Sequence, residues 1–172
     1  MKKKISCILF LLCLLISAVA CAGDVEGNIT WQYNNFIGTK PDVGAGIYMY
    51  KEDKRASDLF ADKTEEDKFL KGFVSTDGAY YAEADGYGHY KIRNLPEGQY
   101  IIYVVSRKTT RNFSDQRPLM AQWDVLYKYT HYTSKDYYAI TFANVYKSVV
   151  GTVYVPASGE ETFSHDFGNT YI

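Results

Sequence analysis

Cysteine is absent from most of this chain. Of the 172 residues, only Cys7, Cys13 and Cys21 are cysteines, and no cysteine follows position 21. A domain folded from the remaining residues therefore has no disulfide, no cysteine zinc site and no cysteine nucleophile. It must be stabilised by core packing, which is feasible because a domain of about 150 residues buries roughly 70% of its unfolded-chain surface.

Charged residues, glycine and proline are too few for two further classes of chain. Charged residues make up 23% of the chain and hydrophobic residues 47%, with 13 Gly and 4 Pro. These values exclude an intrinsically disordered chain and a collagen-like one. Without Lys2–Lys4 the chain has 16 basic and 20 acidic residues, so we expect no nucleic-acid partner.

The first residues predict a targeting segment. Lys2–Lys4 precede an uncharged apolar run from Ile5 to Val19, which is shorter than the about 20 residues that a membrane-spanning helix needs. This pattern is typical of a secretory signal peptide. We therefore assign residues 1–20 to a signal peptide, 21–26 to a short tether and 27–172 to a single domain.

Two ways of processing that segment remain open. Ala18 to Cys21 resembles the lipobox of bacterial lipoproteins, with Ala18 where leucine is usual, and this resemblance makes Cys21 a candidate for lipidation. Ala18-Val19-Ala20 and Ala20-Cys21-Ala22 also fit the A-x-A pattern of ordinary signal peptidase. The first route would give a membrane-anchored protein of the cell envelope, and the second a secreted one.

The body of the chain alternates in hydrophobicity with a period of two. This period predicts strands over 29–33, 47–50, 78–82, 90–92, 99–106, 138–145, 149–155 and 161–167. Short strands without a long periodic helix indicate an all-β sandwich.

One strand is apolar on both faces, from Gln99 to Val105, so its outer face must be covered. Two inserts could cover it. Leu119, Trp123 and Leu126 recur at helical spacing behind Pro118, which predicts a short amphipathic helix over 118–130. Residues 52–71 are rich in charge and contain Thr64-Glu65-Glu66-Asp67, which resembles a capping box, so we expect a partly helical surface segment.

A motif from Asp85 to Tyr100 suggests a family. Gly88 permits a tight hairpin turn, Pro96 and Gly98 make a second turn, and Tyr90, Ile92, Tyr100 and Ile102 should point to one core. The segment resembles the D-x-x-G-x-Y-x-[FI]-x-N-[LV]-P-x-G-x-Y core of carboxypeptidase-regulatory-like domains and of their relatives, the B-type repeats of bacterial surface adhesins. The resemblance implies a prealbumin-like β-sandwich with a carbohydrate-binding-like fold. It does not fix a function, because such domains serve as spacers, adhesin stalks, carbohydrate-binding modules and enzyme appendages.

The residues give little support for the internal isopeptide bond that some related domains form. Some adhesin repeats join a first-strand lysine to a last-strand asparagine by an isopeptide bond. Here Asn169 is available, but residues 27–33 contain no lysine and 99–105 no acid. We therefore expect Asn169 to be an ordinary strand or turn residue.

Catalytic and metal-binding patterns are equally weak. Only His89, His131 and His165 are available as bases, and no H-E-x-x-H or G-x-S-x-G motif occurs. We interpret His89 as an exposed turn residue, and His165 and Asp166 as neighbours on opposite faces of a strand. Asp77, Glu83 and Asp85 lie close in sequence without the spacing of a calcium loop, which favours turn-forming roles. We expect no catalytic residue, metal or cofactor.

Tyrosine is the unusual component, with 17 Tyr and 2 Trp. Adjacent pairs such as Tyr80-Tyr81 cannot both face one core, so some rings must face solvent or an insert. Tyrosines suit a ligand surface, but strands favour tyrosine in any case. The sequence predicts a non-enzymatic envelope module that is structural or ligand-presenting. A carbohydrate-binding module and an accessory domain docking on a separate hydrolase are the alternatives. The partners would be the membrane through Cys21 and possibly a glycan or an envelope protein, with the oligomeric state undetermined.

Overall fold

The computed structural model describes residues 22–34, 36–112, 117–136 and 145–169, without the side chains of 117–119. The predicted signal peptide and Cys21 lie outside these ranges, as does most of the predicted strand over 138–145. In the described part of the chain, the elements are β1 (Ala22–Gln32), β2 (Thr39–Pro41), β3 (Gly46–Lys51), α1 (Ala56–Leu59), α2 (Lys63–Leu70), β4 (Ala79–Glu83), β5 (His89–Pro96), β6 (Gly98–Thr110), α3 (Arg117–Leu126) with a 3₁₀ turn (Tyr127–Tyr129), β7 (Tyr146–Val155), β8 (Glu160–Thr162) and β9 (His165–Asn169).

The strands form two sheets. In the first, β1 is central, with β5 and β2 antiparallel along one edge and β8 and β9 parallel along the other. The second sheet has the antiparallel order β4-β3-β6-β7. The predicted all-β sandwich is therefore confirmed.

The inner core lies between the sheets and includes the four residues that the motif placed there. It contains Val25, Ile29, Ile47, Met49, Tyr90, Ile92, Leu95, Tyr100, Ile102, Val104, Val153, Val155 and Phe167, all buried. Gly88 and Gly98 have positive φ values of 79° and 145°, so both turns use the conformational freedom of glycine.

The prediction of a hairpin at Gly88 was wrong in one respect. The turn is tight, with the Gly88 N–H donating to Asp85 O at 2.9 Å. However, β4 belongs to the second sheet and β5 to the first, so the turn connects the two layers. The chain from β5 to β6 also crosses between the sheets, at Glu97.

A second core covers the outer face of the second sheet, as the apolar strand over 99–105 predicted. Residues from both inserts pack there on the sheet, and the buried set is Tyr48, Tyr50, Leu59, Phe60, Phe69, Ala79, Ile101, Val105, Leu126 and Tyr129. The helix predicted over 118–130 is present as α3, which is continued by the 3₁₀ turn to Tyr129. Among its described side chains, Gln122 and Leu126 are buried.

The charged insert is held in place by polar contacts as well. Its second helix, α2, is capped by Asp62, which accepts from the Glu65 N–H at 2.9 Å, so the cap lies two residues before the predicted one at Thr64. Glu66 is 2% exposed and accepts hydrogen bonds from the Thr130 hydroxyl and, at 2.8 Å, from the His131 N–H. These bonds fasten α2 to the chain that follows the 3₁₀ turn.

The prediction of a tether over 21–26 was wrong for residues 22–26, which form part of a strand. Residues 22–26 belong to β1, where Ala22 is the register partner of Pro96 and Val25 that of Ile92. Residues 22–26 are therefore part of the sandwich.

Candidate functional site

The end of the sandwich farthest from Ala22 carries a group of exposed apolar side chains. Eleven residues of β1 span about 35 Å, so this end and the first strand residue lie at opposite poles of the domain. Three connections meet there: the β1–β2 hairpin, the β2–β3 loop and the turn before β5. We call their exposed apolar residues the aromatic tip: Tyr33, Phe36, Ile37, Val43 and Tyr87.

The hairpin holds two of these side chains in solvent. The Asn34 side chain accepts from the Phe36 and Ile37 N–H groups at 2.9 and 2.8 Å, and the Gly38 N–H donates to Asn34 O at 3.0 Å. Asparagine often stabilises tight turns in this way. Phe36 is consequently 99% exposed although its backbone is fixed.

Aromatic packing supports the base of the hairpin. The Trp31 and Tyr33 rings pack edge to face with centroids 5.6 Å apart, and Trp31 Nε1 donates to Pro41 O at 3.1 Å. The Lys40 ammonium lies 4.8 Å from the centre of the Tyr33 ring, a cation–π contact. A cation therefore borders the apolar surface.

The turn before β5 presents Tyr87. Asp85 Oδ1 accepts from the Tyr87 and His89 N–H groups at 2.8 and 3.0 Å, which confirms the turn-forming role expected for Asp85. Tyr87 is 87% exposed. The turn lies against β2, since a Cβ on Gly88 would be 3.0 Å from Pro41 Cβ. The turn therefore adjoins β1 and β2 at the end of the sandwich where the hairpin leaves β1.

A buried polar network fixes the β2–β3 loop. Asp42 is 0% exposed and accepts hydrogen bonds from the Ser106 hydroxyl and, at 2.9 Å, from the Arg107 N–H. The Ser106 hydroxyl oxygen in turn accepts from the Thr109 N–H at 2.9 Å. Because the Asp42 carboxylate serves these structural bonds, it anchors the loop that carries Val43.

The three histidines make separate contacts, and His89 directly follows the turn that presents Tyr87. His89 Nε2 is 3.8 Å from Glu26 Oε2 at the start of β5, and His131 contacts the buried Glu66. His165 packs edge to face on Phe167 at 4.5 Å, and burial lowers the pKa of its imidazole. None of these contacts joins a histidine to a hydroxyl nucleophile.

The acidic residues considered for calcium are engaged separately. Asp77 lies 3.4 Å from the Lys54 ammonium, and Glu83 accepts from the Tyr81 hydroxyl at 3.4 Å. Across the described ranges, no three His, Cys, Asp or Glu side chains are placed to hold one metal ion.

Asn169 is contacted by a lysine that the sequence reasoning did not consider. Lys147 Nζ on β7 donates to the backbone oxygens of Phe167 and Asn169 at 3.1 and 2.9 Å. Both acceptors belong to the backbone, so the lysine ties β9 to β7.

Part of the tyrosine excess packs in the second core. Tyr48, Tyr50 and Tyr129 are buried beneath the inserts, and burial raises the pKa of each hydroxyl. The pair Tyr80-Tyr81 divides as expected, because Tyr80 packs on the inner core and Tyr81 on the outer one. The buried rings are not available to a ligand, whereas Phe36 and Tyr87 of the tip are exposed.

A charged cluster on β1 was also missed. The Lys91 ammonium lies 3.3 Å from Asp24, 3.1 Å from Glu26 and in contact with Glu160. Hydrogen bonds to Glu160 and Glu26 raise the pKa of Lys91. The cluster links β1, β5 and β8 near the end that begins at Ala22.

Comparisons with known proteins add a fold-level similarity. No family model matches the chain, and no curated protein matches it either. Among solved structures, the chain is similar to a minor pilin of Streptococcus agalactiae (TM-score 0.45, 13% identity, 86% of this chain and 44% of that one). It is also similar to a protein from Pseudomonas aeruginosa described as a putative carbohydrate binding protein (TM-score 0.44, 10% identity, 89% and 93%). A third is the major pilin subunit of Bacillus cereus (TM-score 0.36, 12% identity, 84% and 30%).

The chain spans less than half the length of the two pilins. At these identities and TM-scores, the similarity says nothing about what the chain binds. Membership of the carboxypeptidase-regulatory-like family stays a prediction. In the described residues, no helix is long and apolar enough to cross a bilayer.

Proposed function

We propose that this protein is a non-enzymatic module of the cell envelope, anchored by a lipid on Cys21 and presenting the aromatic tip to a ligand or partner. The observation that carries the proposal is the course of β1. This strand begins at Ala22, one residue after the candidate lipidation site, and leads to the hairpin that exposes Phe36.

The build of the tip supports a binding role. Its side chains are exposed while their backbones are fixed by Asn34, Asp85 and Asp42. Rigid apolar groups lose little conformational entropy on binding, and exposed apolar patches commonly mark interaction sites. The polar side chains beneath the tip are occupied by structural hydrogen bonds, which supports presentation over catalysis.

Anchoring is tested by expressing the precursor in a bacterial host and comparing it with Cys21→Ala. We expect an intact mass increased by acyl chains and partitioning into detergent, both lost in the variant. The variant retains Ala18-Val19-Ala20, so ordinary signal peptidase can still release it. An unmodified native chain in the soluble fraction would contradict the anchor.

Presentation by the tip is tested with Phe36→Ser combined with Tyr87→Ser, measured by binding to purified cell-wall sacculi and to a glycan array. Phe73→Ser is the matched control, because Phe73 is 74% exposed but follows the charged insert and does not belong to the tip. We expect the tip variant to lose at least about tenfold in affinity, since exposed aromatic residues dominate such contacts, and the control to bind normally. Equal loss in both variants, or none in either, would refute the role of the tip. Glycan binding that depends on the tip would favour the carbohydrate-binding alternative over a structural module.

A further inference from the structure

In the part of the chain that the structure describes, one edge of the second sheet has no neighbouring strand. The strand β7 is ten residues long and pairs with β6 on one side. It contains no proline, and its only charged residue, Lys147, lies near its start. Natural edge strands usually carry charges, prolines or bulges that prevent pairing with another chain. The part of β7 after Lys147 has none of the charges or prolines.

The register shows which groups face the open side. The Glu52 N–H donates to Gln99 O, so odd-numbered residues of β6 bond to β3 and even-numbered ones to β7. Ile102 is the register partner of Gly151. Odd-numbered residues of β7 therefore bond to β6, and the N–H and C=O groups of Val150, Thr152 and Tyr154 point outward. In the described part of the chain, no hydrogen bond reaches these groups.

This open stretch has defined limits at both ends. At one end, Gln122 Nε2 on α3 donates to Ser148 O at 2.9 Å, and the Ser148 hydroxyl donates to Gln122 Oε1 at 2.7 Å. At the other end stands Pro156, which has no N–H to donate. Thr152 lies midway between Ser148 and Pro156.

The stretch is complementary to itself. In an antiparallel pair centred on Thr152, each Val150 faces the Tyr154 of the other strand and Thr152 faces its own copy. Ser148, whose C=O is bonded by Gln122, faces Pro156, which has no N–H. The pairing between the two β7 strands therefore ends at these residues. Aromatic with β-branched residues and threonine with threonine are favourable cross-strand pairs. No ionisable group lies between Ser148 and Pro156 except the tyrosine, so no like charges oppose each other.

We infer that β7 pairs with β7 of a second copy of this chain, in an antiparallel register centred on Thr152, and joins two four-stranded sheets into one. The contact is isologous, as in most symmetric dimers. The edge is preorganised for it, because β6 holds one side of β7 and the Phe163 ring lies 2.6 Å from the position of a Cβ on Gly151. The inference goes beyond the proposed function and does not depend on lipidation.

A charge exchange at the centre tests both the pairing and its register. The protein released from the Cys21→Ala precursor is measured by sedimentation velocity from about 1 to 500 μM, a range that covers weak dimers. We expect dimers for the parent chain, and for Thr152→Lys or Thr152→Glu alone a dissociation constant raised at least about tenfold, because like charges then face each other. An equimolar mixture of the two variants should restore dimers. Failure of the mixture to dimerise would overturn the register and with it the inference.

A backbone variant separates pairing from side-chain effects. Thr152→Pro removes only an outward N–H, which is where edge strands tolerate proline, and should leave a folded monomer. Thr152→Val keeps the N–H and should remain dimeric. Unfolding midpoints and near-ultraviolet circular dichroism establish that both variants are folded. A parent chain that is monomeric throughout the range, or a Thr152→Pro variant that dimerises normally, would refute the inference.

Hydrogen exchange provides a second readout for the parent chain. The amides of Val150, Thr152 and Tyr154 should be protected at high concentration and exchange rapidly on dilution. Protection that is independent of concentration would mean that a segment of the same chain covers the edge, and would overturn the inference.

Discussion

Replacing Phe69 by alanine should strongly destabilise the domain, although Phe69 lies in the charged insert and outside the two-sheet sandwich. The side chain is 0% exposed. Its ring lies 5.8, 5.7 and 5.2 Å from the rings of Tyr48, Tyr50 and Phe60. The prediction tests whether the insert is a structural layer or a detachable surface segment.

The expected loss follows from the burial and the packing of this ring. Truncating a buried phenylalanine to alanine costs about 3–5 kcal/mol, which includes the cavity that remains. For a domain of this size, that corresponds to a fall in the unfolding midpoint temperature of roughly 6–20 °C. Urea unfolding followed by the fluorescence of Trp31 and Trp123 would measure the change at the tip and at α3 together.

Phe73→Ala is the matched control, because it removes the same side chain from a 74% exposed position directly after the same insert. Its free energy of unfolding should change by no more than about 0.5 kcal/mol. A loss below about 1 kcal/mol for Phe69→Ala, with an unchanged urea dependence, would refute the reasoning. The insert would then not contribute to the core, and the tyrosines beneath it would be available to a ligand.

Three further outcomes follow from single sites. Burial lowers the pKa of His165 below its unfolded value of about 6.5. The unfolded state therefore binds more protons, and the free energy of unfolding should fall as the pH drops below about 6.5. Unfolding measured at pH 7.5 and 5.5 should show that His165→Gln reduces this dependence. Ser106→Ala should cost about 1–3 kcal/mol by leaving buried groups around Asp42 without a partner, and a smaller loss by chemical denaturation would contradict the network. Gly88→Ala should cost about 1–3 kcal/mol because of its positive φ and its contact with Pro41, whereas Gly86→Ala, which has open space around its Cβ position, should melt like the parent chain.

Local sequence rules predicted the inner core well. The alternation in β5 and β6 and the glycines at 88 and 98 specify both turns and the burial of Tyr90 and Tyr100, because these features depend on residues a few positions apart. The two-sided apolar strand over 99–105 also predicted the outer layer correctly. In each case, the signal lies within one strand or turn.

Features that depend on distant contacts escaped the sequence reasoning. The start of β1 contains Gly23 and Gly27, which favour a flexible tether in isolation. In the fold, they are needed because the chain around Pro156 and Phe163 approaches closely; a Cβ on Gly23 would lie 2.6 Å from Pro156 O. Pairing with β5 and β8 then makes this segment a strand despite its weak propensity.

The tip could not be recognised for a similar reason. Phe36 and Ile37 look like an ordinary loop in the sequence, and Tyr87 occupies a variable position of the turn. They lie at the same end of the sandwich because Gly88 packs closely against Pro41. That contact joins segments almost fifty positions apart, which no local pattern reports.

The two proposals constrain each other through the direction of the strands. A twofold axis normal to the joined sheets reverses every strand, so the two Ala22 residues of a β7-paired dimer lie at opposite ends. If Cys21 carries a lipid, such a dimer cannot seat both anchors in one flat membrane, and the pairing would join copies on facing membranes. Vesicles bearing the lipidated protein should then aggregate, and Thr152→Pro should abolish the aggregation. If the released chain dimerises but the vesicles stay dispersed, the anchored chain does not use this pairing, and the β7 dimer belongs to the released chain alone.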